Sequence, residues 1–361
     1  MNSLSIQNCL NLRQNNFTLM RLLAAFAVLY GHSYVLSGGL KIGEDPISNM
    51  LIPRWGESLP SIAVDMFFVI SGFLICASYV QRRNFWVFVE ARLLRILPGL
   101  AVALIFCILI GACVTSEPVV AYFKSPATVG YLKTNLFLFG GVQFELPGVF
   151  TANPFPGSVN GSLWTLPIEV RMYFWVAVLG ALSLLWRAYV FNALFLLTCL
   201  VYAQAPAGTF FMAADPRQAH LGLLFLLGTF FYVNRRRISL GFGGLLGLAL
   251  LTYMTRNYGF SLFIKSIFFA YLVLLIAIHP KLNLPSIDRW GDISFGLYIY
   301  AFPVQQTLAY TMPPLKPYQM LILSSVITIG LAIVSWKVIE QPALKLKGKL
   351  ALPKKAIGSL S

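Results

Sequence analysis

The stretch "RLLAAFAVLYGHSY" carries two ionisable groups, Arg21 and His32, inside an otherwise apolar segment. Eleven positions separate them, which is close to three helical turns, so both lie on one helix face about 16 Å apart along the axis. Ionisable groups within a membrane are costly enough to indicate a function. The structural alternatives are that Arg21 reaches lipid phosphates at the boundary and that His32 joins two helices by a hydrogen bond.

Two carboxylates are expected at the depth of His32. Asp65 in "SIAVDMFFVISGFLI" and Glu169 in "SLWTLPIEVRMYFW" each follow shortly after the outer end of an apolar segment. A carboxylate beside an imidazole orients the ring and raises its basicity, which predicts a general-base site built from these three residues. His32 is expected to be the only imidazole at the Asp65 level, and Arg171 is a candidate to neutralise one carboxylate.

A group of arginines is predicted at the inner end. Arg92 and Arg95 in "FWVFVEARLLRILPG" are spaced i, i+3 and therefore share a helix face. Arginine binds phosphate oxygens bidentately, so together with Arg21 the pair predicts a phosphate-binding site. The structural alternative is an amphipathic interfacial anchor, which the aromatic residues of the same stretch also fit.

The composition places these residues in a membrane protein. The chain is 58% hydrophobic and 11% charged, whereas a soluble domain is about 25% charged. Apolar residues come in blocks of about 20, the length with which an α-helix crosses the hydrocarbon core. We predict an all-α, polytopic membrane protein with about ten transmembrane helices. The predicted spans are residues 17–37, 60–80, 97–116, 162–185, 188–204, 218–233, 239–255, 259–278, 291–311 and 318–338.

Lysine and arginine predict the orientation, because positively charged loops stay in the cytoplasm. With both termini cytoplasmic, 18 of the 27 basic residues fall inside and 8 outside, and Arg171 lies within the fourth span. Topology signals and contacts with anionic lipid head groups then explain the net charge of +15. Basic residues scattered over loops argue against nucleic-acid binding.

The remaining features predict one membrane-embedded unit. No clear small-residue cleavage site follows the first apolar run, so the first helix is expected to be retained. The 5 cysteines include no CxxC pair, which argues against a disulfide framework and against a metal site. We predict a single integral-membrane domain over residues 1–361, with a core at about 15–340 and no separate soluble domain. The longest loop, about 117–160, is predicted outside, either as a functional loop or as a cap.

The segment from Arg21 to His32 resembles the Arg-x10-His signature of the acyltransferase-3 family, bacterial integral-membrane O-acyltransferases. The resemblance continues in order through "VDMFFVISGFLI", "EARLLRILPG", "GSLWTLPIEVRMYF", "GDISFGLYIYAFPVQQ" and "WKVIEQPALKL". It implies transfer of an acyl group, usually acetyl from the co-substrate acetyl-CoA, to a hydroxyl of a cell-envelope or exported saccharide, with no bound cofactor. It also implies a multi-pass location in the bacterial inner membrane.

The resemblance carries functional roles over to five positions of this chain: Arg21, His32, Arg92, Arg95 and Glu169. Many members of the family also have a histidine before the proline of the ninth-helix motif. In this chain that position is Ala301, within "YIYAFP", so any role of a second histidine does not apply.

Donor and acceptor are predicted to enter from opposite sides. Acetyl-CoA is found in the cytosol, and the arginines predicted on that side would hold its phosphates. Its pantetheine arm is comparable in length with the rise of about 16 Å from Arg21 to His32. His32 would act as a general base or as a transient acyl carrier. Candidate acceptor-binding residues are Trp164, Arg171, Tyr173 and Tyr298, although aromatic residues at membrane boundaries are also typical belt anchors.

A transporter or flippase for an envelope lipid or oligosaccharide is the alternative from another functional class. It would also contain buried charges along an internal path. The two halves of the chain show no inverted repeat, which is a common feature of transporters. A membrane scaffold is a third class, but it leaves the buried groups His32, Asp65 and Glu169 unexplained.

Overall fold

The computed structural model describes residues 4–12, 15–38, 41, 43–204, 215–287 and 291–348, which are almost entirely helical. A short antiparallel pair joins β1 (Leu4–Ser5) to β2 (Ser239–Leu240). The α-helices are α1 (Ile6–Asn11), α2 (Phe17–Gly38), α3 (Pro46–Trp55), α4 (Leu59–Arg82), α5 (Phe85–Val114), α6 (Val119–Lys124), α7 (Pro126–Phe137), α8 (Leu166–Ala181), α9 (Ala188–Gln204), α10 (Pro216–Val233), α11 (Phe242–Met254), α12 (Ser261–Ile278), α13 (Ser294–Thr311), α14 (Pro317–Ser335) and α15 (Gln341–Leu344).

Each predicted span contains most of one α-helix or lies largely within one, with 162–185 also covering two short 3-10 helices, and the all-α prediction is confirmed. Five helical segments are long and apolar enough to cross a membrane: α2, α4, α5, α12 and the continuous stretch Pro317–Leu344. The chain is therefore a multi-pass membrane protein, while the number of about ten spans and the cytoplasmic termini stay predictions. Five of the basic residues used for the orientation lie outside the described residues: Arg13, Arg289, Lys349, Lys354 and Lys355.

The helix pair α4 and α10 forms the tightest contact in the bundle. A side chain at Gly72 would collide with the backbone of Phe225, and one at Gly228 would collide with the backbone of Val69. Small residues let two membrane helices approach this closely, and Thr229 adds a hydrogen bond from its hydroxyl to the Gly72 carbonyl at 3.2 Å. This packing fixes Asp65, two turns before Gly72, against the start of α10.

The long loop after α5 is ordered and turns back along that helix. The Tyr122 hydroxyl of α6 donates to the Ile108 carbonyl at 2.9 Å, and residues 136–139 at the end of α7 share a cavity with Arg92 and Leu97. The loop then returns to Asn160, which donates to the Ile299 carbonyl of α13 at 2.9 Å. The first part of the loop thus packs along one side of α5 as two short helices, while its role as a functional loop or a cap stays a prediction.

Candidate active site

A small cavity of about 60 Å³ lies at the centre of the bundle, where α2, α4, α5, α8 and α13 meet. Seven of the described residues supply its polar lining: Tyr298 and six others, namely Arg21, Arg95, Thr165, Glu169, Tyr173 and Ser294. The Tyr298 hydroxyl lies 3.0 Å from the Thr165 hydroxyl. The structure therefore brings five of the predicted site residues to one cavity: Arg21, Arg95, Glu169, Tyr173 and Tyr298.

The floor of this central cavity is an ion-pair network that the sequence analysis did not identify. The Asp292 carboxylate accepts from both Arg21 and Arg95, the latter at 2.7 Å. Arg95 also contacts the carboxylate of Glu340 at 3.5 Å. Glu340 lies in a π-helical turn after α14 and is almost fully buried. The two arginines are thus compensated by two carboxylates of the protein itself.

The carboxylate of Glu169 faces the central cavity from the first turn of α8. It accepts hydrogen bonds from the Tyr173 hydroxyl, one turn further along the helix, and from the Ser71 hydroxyl at 3.3 Å. A proline at the start of α8 and the short 3-10 helix Gly161–Thr165 before it set this position in the chain. Two hydroxyl donors hold the carboxylate without an ion pair among the described residues.

His32 lies outside the lining of the central cavity, towards the C-terminal end of α2. Its ring packs edge-on against Phe302 at 5.2 Å between centroids, and Phe302 is one turn along α13 from Tyr298 at the cavity wall. The Nδ1 atom of His32 is buried and has no hydrogen-bond partner in the described part of the chain. Among the described residues, no carboxylate therefore orients the imidazole as predicted. The ring is positioned by its packing against Phe302 instead.

Asp65 belongs to a different cluster from His32. Its carboxylate pairs with Arg217 at 2.8 Å and with His220 Nε2 at 3.5 Å, both from the first turns of α10. Arg217 additionally approaches Glu57 at 3.8 Å. The expectation that His32 is the only imidazole at the Asp65 level is wrong, because His220, near the start of α10, contacts the Asp65 carboxylate.

Arg92 and Arg95 point to neighbouring cavities. Arg92 lines an apolar cavity of about 370 Å³ between α5, α7 and α8, and its guanidinium lies over the ring of Tyr173 at 5.9 Å. Ile96 and Tyr173 line both this cavity and the central one, so they form the wall between them. Burial, with the charges of Arg92, Arg82 and Arg95, lowers the pKa of Lys347 to about 8, which marks the N-terminal part of α5 as strongly positive.

The remaining candidate acceptor residues lie apart from the central cavity. Trp164 is half-buried and packs against the apolar core. Arg171 donates to the side-chain oxygen of Gln218 at 3.4 Å, and Gln218 in turn donates to Asp215 at 2.9 Å. These contacts join α8 to the start of α10, so Arg171 connects two helices in the structure.

A set of buried amides fixes the surroundings of His32, and sequence reasoning did not identify it. Gln305 donates to the Leu29 carbonyl at 3.0 Å and to the Ser33 hydroxyl at 2.9 Å, on either side of His32 in α2. Gln306 donates to the carbonyls of Phe155 and Ser158, which holds the loop before α8 against α13. The two adjacent glutamines, Gln305 and Gln306, within an otherwise apolar stretch were the one sequence feature that could have indicated these buried amides.

Comparison with known proteins decides the family. The sequence model of the acyltransferase-3 family, described as an acyltransferase domain, matches residues 14–337. This chain is a member of the acyltransferase-3 family. The match includes the residues that line the central cavity, Asp292 of its ion-pair network and His32, and it ends three residues before Glu340. The chain is therefore an acyltransferase embedded in a membrane, and the predicted family is confirmed.

Two curated relatives of this family member cover nearly all of it. An O-acetyl transferase of Shigella phage Sf6 is 28% identical over 334 residues, which is 91% of this chain and 96% of the relative. Nodulation protein 10 of Rhizobium leguminosarum bv. viciae is 28% identical over 367 residues, 93% of this chain and 95% of the relative. No solved structure matches the chain significantly.

Proposed function

We propose that this chain is an O-acetyltransferase that moves an acetyl group from cytosolic acetyl-CoA to a hydroxyl group of a cell-envelope or exported saccharide. The printed name of the phage relative, an O-acetyl transferase, supports the acetyl group. The observation that carries the proposal is the position of Arg21, which lines both the central cavity and a larger polar pocket at the end of the bundle that holds α1. A donor entering there reaches the reaction site through the interior.

His32 is the proposed base of the reaction. The acceptor hydroxyl oxygen attacks the thioester carbonyl carbon, and its proton moves to the His32 imidazole. A C–O bond forms, the C–S bond breaks, and the imidazole returns the proton to the sulfur of coenzyme A. In the alternative order His32 carries the acetyl group transiently before the acceptor attacks. Both orders use the same residue and no bound metal or cofactor.

The polar residues of the central cavity have supporting roles in this proposal. Glu169 and the hydroxyls of Tyr173 and Tyr298 offer hydrogen bonds to the thioester end of the donor. Arg21 and Arg95 keep unused N–H groups besides those on Asp292 and Glu340, because a guanidinium has five donors. Arg21 and Arg95 place positive charge along the path of the donor, and Arg92 lies beside this path. The remaining candidates for the acceptor side are Trp164 and Arg171.

Labelled transfer tests this function. Purified protein incubated with acetyl-CoA labelled in the acetyl group and with envelope glycans should yield labelled, alkali-sensitive esters on the glycan. The matched control is protein carrying Arg21→Ala, which loses a residue common to both pockets and should transfer far less. Recovery of the glycan unlabelled, with facilitated movement of an oligosaccharide across vesicle membranes, would favour the transporter alternative.

A further inference from the structure

The large polar pocket at the α1 end of the bundle is the cavity best suited to the charged part of the donor. It has a volume of about 920 Å³, at the upper end of the range of about 300–1,000 Å³ for small-molecule sites. Its lining includes the side-chain amides of Gln7, Asn11, Asn15 and Gln81. Two arginines of the loop after α10, Arg235 and Arg236, complete its polar wall.

The arginines of the pocket differ in whether a carboxylate already neutralises them. Arg21 is paired with Asp292, which also lines the pocket. Arg235 donates to the Gln7 side chain at 2.8 Å and to the Tyr232 carbonyl at 3.0 Å, so its contacts are neutral. Arg236 is exposed, and within the described chain neither it nor Arg235 forms an ion pair. The uncompensated positive charge of the pocket therefore comes from Arg235 and Arg236.

We infer that Arg235 and Arg236 bind the phosphate groups of the nucleotide part of coenzyme A. This inference rests on the proposed function and assigns the charged end of its donor to a site. Arginine is suited to phosphate because its planar fork donates to two oxygens at once. The amides of Gln7, Asn11 and Gln81 supply donors and acceptors for a base and a ribose. The pantetheine arm then passes Arg21 into the central cavity.

This inference differs from the sequence prediction, which assigned the phosphates of the donor to Arg21, Arg92 and Arg95. Arg21 and Arg95 share the carboxylate of Asp292, so a phosphate there would have to compete with a carboxylate of the protein. Among the described residues, no carboxylate pairs with Arg235 or Arg236. Arg21 then lies between the large polar pocket and the central cavity, where the pantetheine arm passes. The loop between α10 and β2 holds the nucleotide.

The adjacent Arg237 provides a matched control of equal charge. Its guanidinium lies over the ring of Tyr189 at 4.7 Å, and it is absent from the described lining of the pocket. Arg236→Gln and Arg237→Gln remove one positive charge each from exposed neighbouring positions. Any difference between them therefore reports a site and not the general surface potential. Arg235→Gln, which also loses contacts with Gln7 and Tyr232, is the second variant.

The test compares acetyl-CoA with acetyl-pantetheine, a donor that lacks the nucleotide, in transfer to a glycan. Arg236→Gln and Arg235→Gln should each raise the KM for acetyl-CoA about tenfold. Their kcat/KM for acetyl-pantetheine should stay within about twofold of wild type. Arg237→Gln should change neither the KM for acetyl-CoA nor kcat/KM for acetyl-pantetheine. Equal KM values for acetyl-CoA in Arg236→Gln, Arg237→Gln and wild type would overturn the inference and leave the proposed function intact. A wild-type protein that uses neither donor would overturn both.

Discussion

Replacing His32 by asparagine is expected to lower acyl transfer at least a hundredfold while the protein still inserts and accumulates normally. A general base contributes about 10²- to 10⁴-fold to a rate, and a transient acyl carrier is equally indispensable. The fold should tolerate the change, because the buried Nδ1 atom has no hydrogen-bond partner among the described residues. Initial rates with labelled acetyl-CoA, normalised to folded protein, measure the effect.

Asp65→Asn is the informative comparison with His32→Asn, because the sequence analysis placed Asp65 and His32 in one catalytic group. The carboxylate of Asp65 pairs with Arg217 and His220, so its loss should reduce the amount and melting temperature of the protein. Activity per folded molecule should change far less than in His32→Asn. A well-folded His32→Asn variant with near-wild-type transfer would contradict the proposed role of the imidazole.

Asp292→Ala is expected to cause the largest loss of stability among single changes in the central ion-pair network. The substitution leaves Arg21 and Arg95 as neighbouring like charges without their shared carboxylate. Removing one partner of a buried ion pair costs about 3–5 kcal/mol, and we expect the lower end because the side chain of Asp292 is 21% exposed. Thermal unfolding in detergent should show a midpoint lower by several degrees.

Ser294→Ala is the matched control for that experiment. The Ser294 hydroxyl donates to the other carboxylate oxygen of Asp292, so the variant loses one hydrogen bond, which contributes about 1 kcal/mol, and keeps both ion pairs. Its melting temperature should fall clearly less than that of Asp292→Ala. Equal melting temperatures for Asp292→Ala and wild type would show that the arginines do not depend on this carboxylate.

Local patterns in the sequence predicted the helices, and with them the residues that face inward. Each apolar block contains a helix, because apolar length and helical periodicity are properties of one segment. Sequence reasoning placed Glu169 at the depth of His32 and Asp65, which is wrong: Glu169 lines one cavity with Arg21 and Arg95 and bonds Ser71, six residues after Asp65 in α4. The family resemblance, which extends over six motifs, was confirmed by the match to residues 14–337.

The partners of these residues depend on contacts between distant segments, which no local pattern contains. Asp292 is 271 residues from Arg21 and 197 from Arg95, and Glu340 is 245 residues from Arg95. Depth alone grouped Asp65 with His32, but depth does not specify which side of α4 a residue occupies. The close packing of α4 on α10 turns Asp65 towards Arg217, and this outcome follows from the approach of Gly72 to the Phe225 backbone.

The central claim is that the acetyl group crosses much of the bilayer inside this protein, from the end that holds Arg21 to the end that holds His32. Sealed vesicles of known orientation test it most directly, with an impermeant acetyl-CoA on one face and a glycan acceptor on the other. We expect ester formation only when acetyl-CoA is on the cytosolic face and the glycan is on the opposite face. Transfer only when both substrates are on the cytosolic face would contradict it.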